Sequence, residues 1–313
     1  MPGALIVAVA LLLGTESAAR LVQLNPTQAT PRHESGSPPV PSPVEDSRQP
    51  ERASGTLRVD FVSVGQGDAA LITSPTGKTV LIDGGPHEAG PRLARFLHGR
   101  TTAPLDLVLL THRHADHLGG LSRIVEDQGA RVFLDAAYPH ATPGYGPLLK
   151  ALARRGVAVR EATRGRTIDL GGGARLVLLT PTDPRISGTR SDVNSNSVVV
   201  RLEYGQIHML FTGDAERETE RWLLDSGTPL RADLLKVAHH GSRYASSAPF
   251  LQAVSPQIAG ISCGLNNEYH HPHAEALERL SKVRARVFRT DLDGTVTALS
   301  DGQRITMSKG GLP

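Results

Sequence analysis

Downstream of about residue 56 the apolar positions fall into short runs separated by turn-forming residues. Residues 57–64 alternate apolar and polar, and residues 69–73 and 79–83 flank the turn sequence Pro75-Thr76-Gly77, so all three predict strands. Residues 105–110 are an almost unbroken apolar run, the pattern of a strand covered on both faces. Helical spacing follows over residues 121–128, 147–155, 216–224 and 274–283. Residues 197–204 and 206–211 flank Gly205 and predict a hairpin, and residues 232–238 predict a further buried strand. Strands interleaved with helices in two successive halves point to an α/β layered sandwich. There is no internal repeat of fixed period.

The N-terminal end reads differently. Residues 4–13 are ten apolar residues in a row, half of the roughly 20 that a helix needs to cross a bilayer core. The small residues Ser17-Ala18-Ala19 follow where a cleavage site belongs, so residues 1–22 are expected to be a signal peptide or a short hydrophobic leader. A signal peptide implies export to the envelope or medium; a plain leader implies a cytoplasmic protein. Residues 23–55 hold seven prolines between Pro26 and Pro50, among Ser, Thr, Glu and Gln. Such a stretch buries too little surface to offset its chain entropy and is expected to be a disordered linker. The folded domain is placed at residues 56–313, where nothing is apolar for long enough to span a membrane.

Lysine and arginine number 34 against 31 acidic residues, a net charge of +3 over 313 residues. That balance excludes a strongly basic arm as the basis of function but permits local patches. The single cysteine, Cys263, excludes an intramolecular disulfide and a cysteine-cluster metal site. Thirteen histidines against five tyrosines direct attention to imidazole chemistry, and eight of them lie in three short clusters.

The first cluster is Thr111-His112-Arg113-His114-Ala115-Asp116-His117, directly after the buried-strand run. Loops at strand C-termini are where α/β folds carry chemistry. His112 and His114 can converge on one ion, with Asp116 and His117 turned toward a second; imidazole and carboxylate suit zinc, manganese or iron. Thr212-Gly213-Asp214 ends another strand, and Asp214 suits an oxygen donor bridging two cations, although aspartate there would also cap a helix. His239-His240-Gly241-Ser242 ends a third. One of these histidines completes the second metal site, with His240 favoured, while His239, Ser242 and the Gly241 amide are candidates for substrate contact. In His270-His271-Pro272-His273, His271 is the residue expected near the site, as a general acid toward a leaving alkoxide. His273 reads equally well as the start of a helix.

Together these motifs resemble the metallo-β-lactamase superfamily, whose HxHxDH signature is met by His112, His114, Asp116 and His117. More narrowly the chain resembles the soluble hydrolase domain of ComEC-type competence DNA-uptake proteins. The stretches that carry this likeness are Val64-Gly65-Gln66-Gly67-Asp68, Leu81-Ile82-Asp83-Gly84-Gly85 and the first histidine cluster through Gly120. They continue with residues 194–198, Thr212-Gly213-Asp214, Leu235-Lys236 through Ser242, and residues 290–294. Two departures stand out. The segment expected to bring a third histidine to the first metal reads Asp192-Val193-Asn194-Ser195-Asn196-Ser197 and holds none, so water or an asparagine oxygen would complete that site, with Asn194 a candidate for substrate contact. The membrane spans of the channel proteins are also missing.

The resemblance implies a four-layer αβ/βα sandwich with two divalent ions, zinc or manganese, at one edge. A bridging hydroxide is the implied nucleophile and Asp116 the residue that orients it. Asp83 is implied to brace the loop of His112 to His117, with Asp68 lining the mouth or supporting the site at lower priority. A phosphodiester, and nucleic acid in particular, is the leading substrate class; Arg92, Arg95, Arg154, Arg155, Arg160, Arg164 and Arg166 are candidate phosphate contacts. The alternatives are a hydrolase of small esters, lactones or β-lactams, and a non-catalytic surface module that kept the fold.

Overall fold

A computed structural model describes residues 54–310. The leader expected over residues 1–22 lies outside the described residues, as does the linker expected over residues 23–55 except for its last two positions.

The described chain lays down two mixed sheets back to back. Strands β1 (Leu57–Phe61), β2 (Ala70–Thr73), β3 (Thr79–Ile82), β4 (Leu105–Leu110), β5 (Ala130–Asp135) and β6 (Ala158–Glu161) build most of the first. The second follows as β7 (Thr167–Gly171), β8 (Ala174–Leu178), β9 (Val200–Tyr204), β10 (Ile207–Phe211), β11 (Leu234–Lys236), β12 (Ile258–Ile261) and β13 (Arg286–Arg289). The chain then returns to the first sheet as β14 (Val296–Ser300) and β15 (Ile305–Lys309). The strand orders are 15-14-1-2-3-4-5-6 and 13-12-11-10-9-8-7. In the first sheet β3 to β6 run parallel, and in the second β10 to β13 do.

Three apolar layers follow from strand alternation. Phe61, Ile72, Val80, Leu109, Leu202, Met209 and Phe211 point between the sheets and close on one another. The opposite faces of the strands bury Leu71, Leu81, Val108 and Phe133 under Leu93 and Leu97 of α1 (Gly90–His98), with short α2 (Ala115–Leu118) at the edge and Leu121 and Ile124 of α3 (Leu121–Asp127) and Leu148 and Leu152 of α4 (Tyr145–Arg154) alongside. On the far side, beyond the single turn α5 (Asp192–Ser195), Leu223 of α6 (Arg217–Asp225), Phe250 and Val254 of α7 (Ala248–Val254) and Leu280 of α8 (Ala274–Lys282) cover Leu210, Leu235 and Ile261. The result is the expected αβ/βα sandwich. The expected strand over residues 232–238 shortens to β11, because Ala238 to Gly241 turn into a tight 3-10 coil that carries two histidines.

Candidate metal centre

Parallel strands of a sheet release their chains at the same edge, and here β4 of the first sheet and the neighbouring β10, β11 and β12 of the second bring their ends together. β4 ends in Thr111 and the first histidine cluster, β10 in Thr212-Gly213-Asp214, β11 in the His239-His240 turn, and β12 in Ser262 and the loop of residues 264–273. Backbone bonds tie these ends together: the Val198 amide donates to the Thr111 carbonyl at 2.9 Å and the His239 amide to that of Gly213 at 3.1 Å. The Asp68 amide donates to the Asp116 carbonyl at 3.1 Å. That approach requires Gly67, since a Cβ there would stand 2.3 Å from the Asp116 oxygen and φ is +144°.

Asp214 sits at the centre of the cluster. Its Oδ1 lies 3.2 Å from His117 Nε2 and 3.6 Å from His240 Nε2. Its Oδ2 lies 3.8 Å from His112 Nε2 and 3.7 Å from His239 Nε2. Asp116 Oδ2 is 3.1 Å from His240 Nε2, and His114 Nδ1 is 3.0 Å from His112 Nε2. Two ligand sets share this carboxylate: Asp116, His117, Asp214 and His240 converge in one, and His112, His114 and Asp214 in the other.

The outward-facing nitrogens fix which face of each ring is free. Asp83 accepts from His117 Nδ1 at 2.8 Å, and from both the amide and the hydroxyl of Thr111 at 2.8 Å. With its proton given to Asp83, the Thr111 hydroxyl is an acceptor for His112 Nδ1 at 3.1 Å. One buried carboxylate thus orients two rings and leaves both Nε2 atoms as lone-pair donors. His240 Nδ1 donates to the Ser262 carbonyl at 3.0 Å, and His239 Nδ1 to Glu216 at 3.0 Å. Asp83, His239 and His240 hold these positions with φ of 60°, 49° and 53°, in the left-handed region that ordinary residues avoid. Backbone strain of this kind collects at functional sites.

Charge tells the same story. Burial pushes the His117 pKa down, but the Asp214, Asp83 and Asp116 carboxylates outweigh it and hold it well above the usual value. Burial likewise opposes His240, which Asp214, Asp68 and Asp116 nevertheless raise to about 10. Asp214 would be raised by burial, yet His117, His240 and His239 hold it well below the carboxylate range. The carboxylates thus favour positive charge at His117 and His240, the place where a cation would sit. His112 goes the other way, lowered by burial and by the charge on His117. The fit to divalent cations rests on the orphaned atoms: His117 Nε2 and Asp214 Oδ1 are buried, 3.2 Å apart, and neither has a hydrogen-bond partner. Nitrogen and oxygen donors without sulfur are the set for zinc, manganese or iron.

Above the cluster opens a cavity of about 530 Å³, lined in part by His114, Asp116, Asp214, His239 and His240. Asn194, Ser242 and His271 also line it, so the residues expected to meet substrate face one space. Asn194 Oδ1 is buried without a partner on the side where the third histidine is missing. His271 Nδ1 is also unpartnered; burial, then the His240 and His239 rings, bring its pKa to about 3, so at neutral pH the ring is uncharged. General-acid action there needs a proton delivered during turnover.

Two expectations change. Asp68 does not line the mouth: it is buried beneath His240, 3.4 Å from its Nδ1, and accepts from Lys236 Nζ at 2.8 Å. Lys236 and His240, against the effect of burial, keep it ionised. Nor do the arginines all gather at the site: the Arg92 guanidinium lies beside Gly65, next to the cavity residue Gln66, but others lie elsewhere. Arg154 pairs with Glu126, Arg155 packs by Gly129 at the opposite end of β4, and Arg164 lies 4.7 Å over the Trp222 ring. Sequence reasoning missed Thr111, Lys236, Glu216 and Arg190, the last of which binds Glu216 and lines the cavity. Thr111 stands inside the histidine motif, a position that could have flagged it, whereas the partners of Lys236 and Glu216 are distant in the chain.

The sequence profile of the metallo-beta-lactamase superfamily matches residues 62–264, a span that contains every residue of both ligand sets. The chain belongs to the metallo-beta-lactamase superfamily. As a member of this metallo-hydrolase superfamily it resembles, within it, the ComEC-type competence proteins. It is 31% identical over 255 residues to ComE operon protein 3 of Bacillus subtilis, covering 76% of this chain and 32% of that protein. It is 32% identical over 252 residues to Recombination protein 2 of Haemophilus influenzae, covering 77% of this chain and 28% of that one. The chain thus spans about a third of the length of these curated relatives. The metallo-beta-lactamase fold protein YhfI of Bacillus subtilis superposes with a TM-score of 0.51 at 12% identity, over 80% of this chain and 100% of that one, a likeness of fold. Among the described residues no helix is long and apolar enough to cross a membrane.

Proposed function

We propose that this chain is a two-cation phosphodiesterase acting on nucleic acid. The observation that carries this reading is Asp214, whose two oxygens are divided between two sets of buried ligands. In this assignment His112, His114 and Asp214 hold one cation, and Asp116, His117, Asp214 and His240 hold the other. Such ions, when bound, supply Lewis acidity, charge neutralisation and an activated water. A DNA-related substrate is supported by the competence- and recombination-type relatives.

The chain's own residues then have distinct tasks. Hydrolysis joins a water oxygen to phosphorus and breaks one P–O ester bond, giving a phosphomonoester and an alcohol, with one water proton ending on the departing oxygen. Asp116, the most exposed carboxylate of the ligand sets at 31%, orients the attacking water. His239, held by Glu216, and Ser242 and Asn194 along the cavity wall meet the phosphoryl oxygens. His271 offers the leaving oxygen a hydrogen bond.

The test is metal content beside hydrolysis of bis(p-nitrophenyl) phosphate and of an oligonucleotide. Wild type should bind up to two Zn²⁺ or Mn²⁺ and cleave both substrates. Asp214→Asn should lose most of both ions and about 10³-fold of the rate, within the range for positioned catalytic groups. Two bound ions with turnover only of carboxylic esters or lactones would replace the phosphodiester reading; a chain that binds no divalent ion would be a non-catalytic module.

A further inference from the structure

Tyr244 and Tyr269 line the metal-site cavity and are 43% and 53% exposed, in a chain with only five tyrosines. Among the described residues the other large exposed apolar side chains are Leu149, Val159, Leu265 and Leu292, none of which lines this cavity. Each tyrosine is steadied on one face by a planar group. Tyr269 stacks on His271 with ring centres 5.7 Å apart and 23° between planes, and the Arg190 guanidinium lies 4.2 Å over Tyr244. Arg190 is itself anchored by buried Glu216, so that backing is fixed to the same framework as His239.

Resting on the phosphodiester reading, we propose that Tyr244 and Tyr269 are base-stacking residues that make single-stranded nucleic acid the preferred substrate. Half-exposed rings backed on one face present a flat apolar surface beside a cluster built for a phosphate. A strand with its phosphate at the ligand sets would bring the neighbouring bases to this rim. Stacking on aromatic rings accepts any base, because every base has a π-face, and gives affinity without sequence reading. Paired bases in a duplex have these faces already covered by their neighbours. A small ester has nothing to place there.

The test compares a short labelled single strand with the blunt duplex of the same sequence, using the full chain loaded with Mn²⁺. Wild type should favour the single strand. Tyr269→Ala and Tyr244→Ala should each raise its KM about tenfold, the scale of one lost base-stacking contact, with kcat little changed. Tyr269→Phe and Tyr244→Phe should restore the wild-type KM, because the ring and not the hydroxyl does the stacking. Equal cleavage of duplex and single strand, or wild-type KM in both alanine variants, overturns the inference while the phosphodiesterase reading survives on bis(p-nitrophenyl) phosphate. If wild type hydrolyses neither diester, that reading fails separately. Fluorescence anisotropy of the labelled strand then still decides the stacking: weaker binding by the alanine variants supports it, and unchanged binding overturns it.

Discussion

The two ends of strand β4 place charge in opposite ways. At the Leu105 end, Arg131 faces Asp106 at 3.3 Å with 67% and 33% of the side chains exposed, and Arg154 pairs with Glu126 at 61% and 43%. Exposed pairs of this kind contribute about 0–1 kcal/mol each. At the Leu110 end, Asp83, His112, His117 and Asp214 are all at most 2% exposed. Taking ions out of water costs several kcal/mol per group even after relaxation, so a fold seeking stability alone would fill these positions with apolar side chains. The strained backbone at Asp83, His239 and His240 lies at this same end. The first end is a solvated surface; the second holds charge and strain that only a ligand or a reaction explains.

The sharpest way to test that contrast is to remove a buried charge just behind the ligands. Lys236 is 3% exposed and donates to Asp68 and to the Val237 carbonyl at 3.0 Å. Lys236→Met should destabilise the fold by about 3 kcal/mol, as when one member of a buried pair is deleted. Urea unfolding of the metal-free protein measures this, and a loss below about 1 kcal/mol would mean that His240 alone satisfies Asp68.

A smaller effect is expected at Thr111. Thr111→Val keeps the shape but removes the hydroxyl that links His112 to Asp83, leaving the direct His117–Asp83 bond intact. Affinity for the cation held by His112 and His114 should fall about 10- to 100-fold, the usual cost of losing a partner behind a metal-binding histidine, with the other cation less affected. Competition with a chelator would resolve the two. Equal weakening of both would show that Thr111 acts by holding Asp83 and not through His112.

What was legible in the sequence follows the range of the interactions. Strand β4 and helices such as α3 and α8 were readable because their apolar periods are local. The first two histidine clusters were readable because each stands at the exit of a strand, and exits gather at one edge of a layered sheet. The supports were hidden because they join distant segments: Asp68 and Lys236 are 168 residues apart, and Asp83 and Thr111 are 28. Nothing local marks Lys236 as a counterion, since a lysine at a strand end is ordinarily solvated. The arginines misled for the reverse reason. Those between residues 154 and 166 are close in sequence but lie on a helix end, an edge strand and a turn, where Arg154 pairs with Glu126 and Arg164 lies over Trp222.

The smallest expected effect tests the other side of the comparison. Arg154 and Arg155 are exposed at the end of α4, and Arg155 packs beside Gly129 and Pro104, where β4 begins. The six residues of that strand separate them from Thr111 by roughly 20 Å at the usual rise per residue. A strand short enough to fill only the cavity cannot touch both ends. Arg154→Ala and Arg155→Ala should therefore change unfolding stability by no more than about 0.5 kcal/mol, as exposed substitutions usually do. The KM for a short oligonucleotide should stay within about twofold of wild type, since no phosphate contact is lost. Repeating the measurement with a longer strand separates two possibilities. An effect confined to long substrates would make the Leu105 end a distal electrostatic track. A tenfold rise in KM on the short strand would mean that the two ends act as one surface, and the contrast between solvated and functional charge would no longer hold.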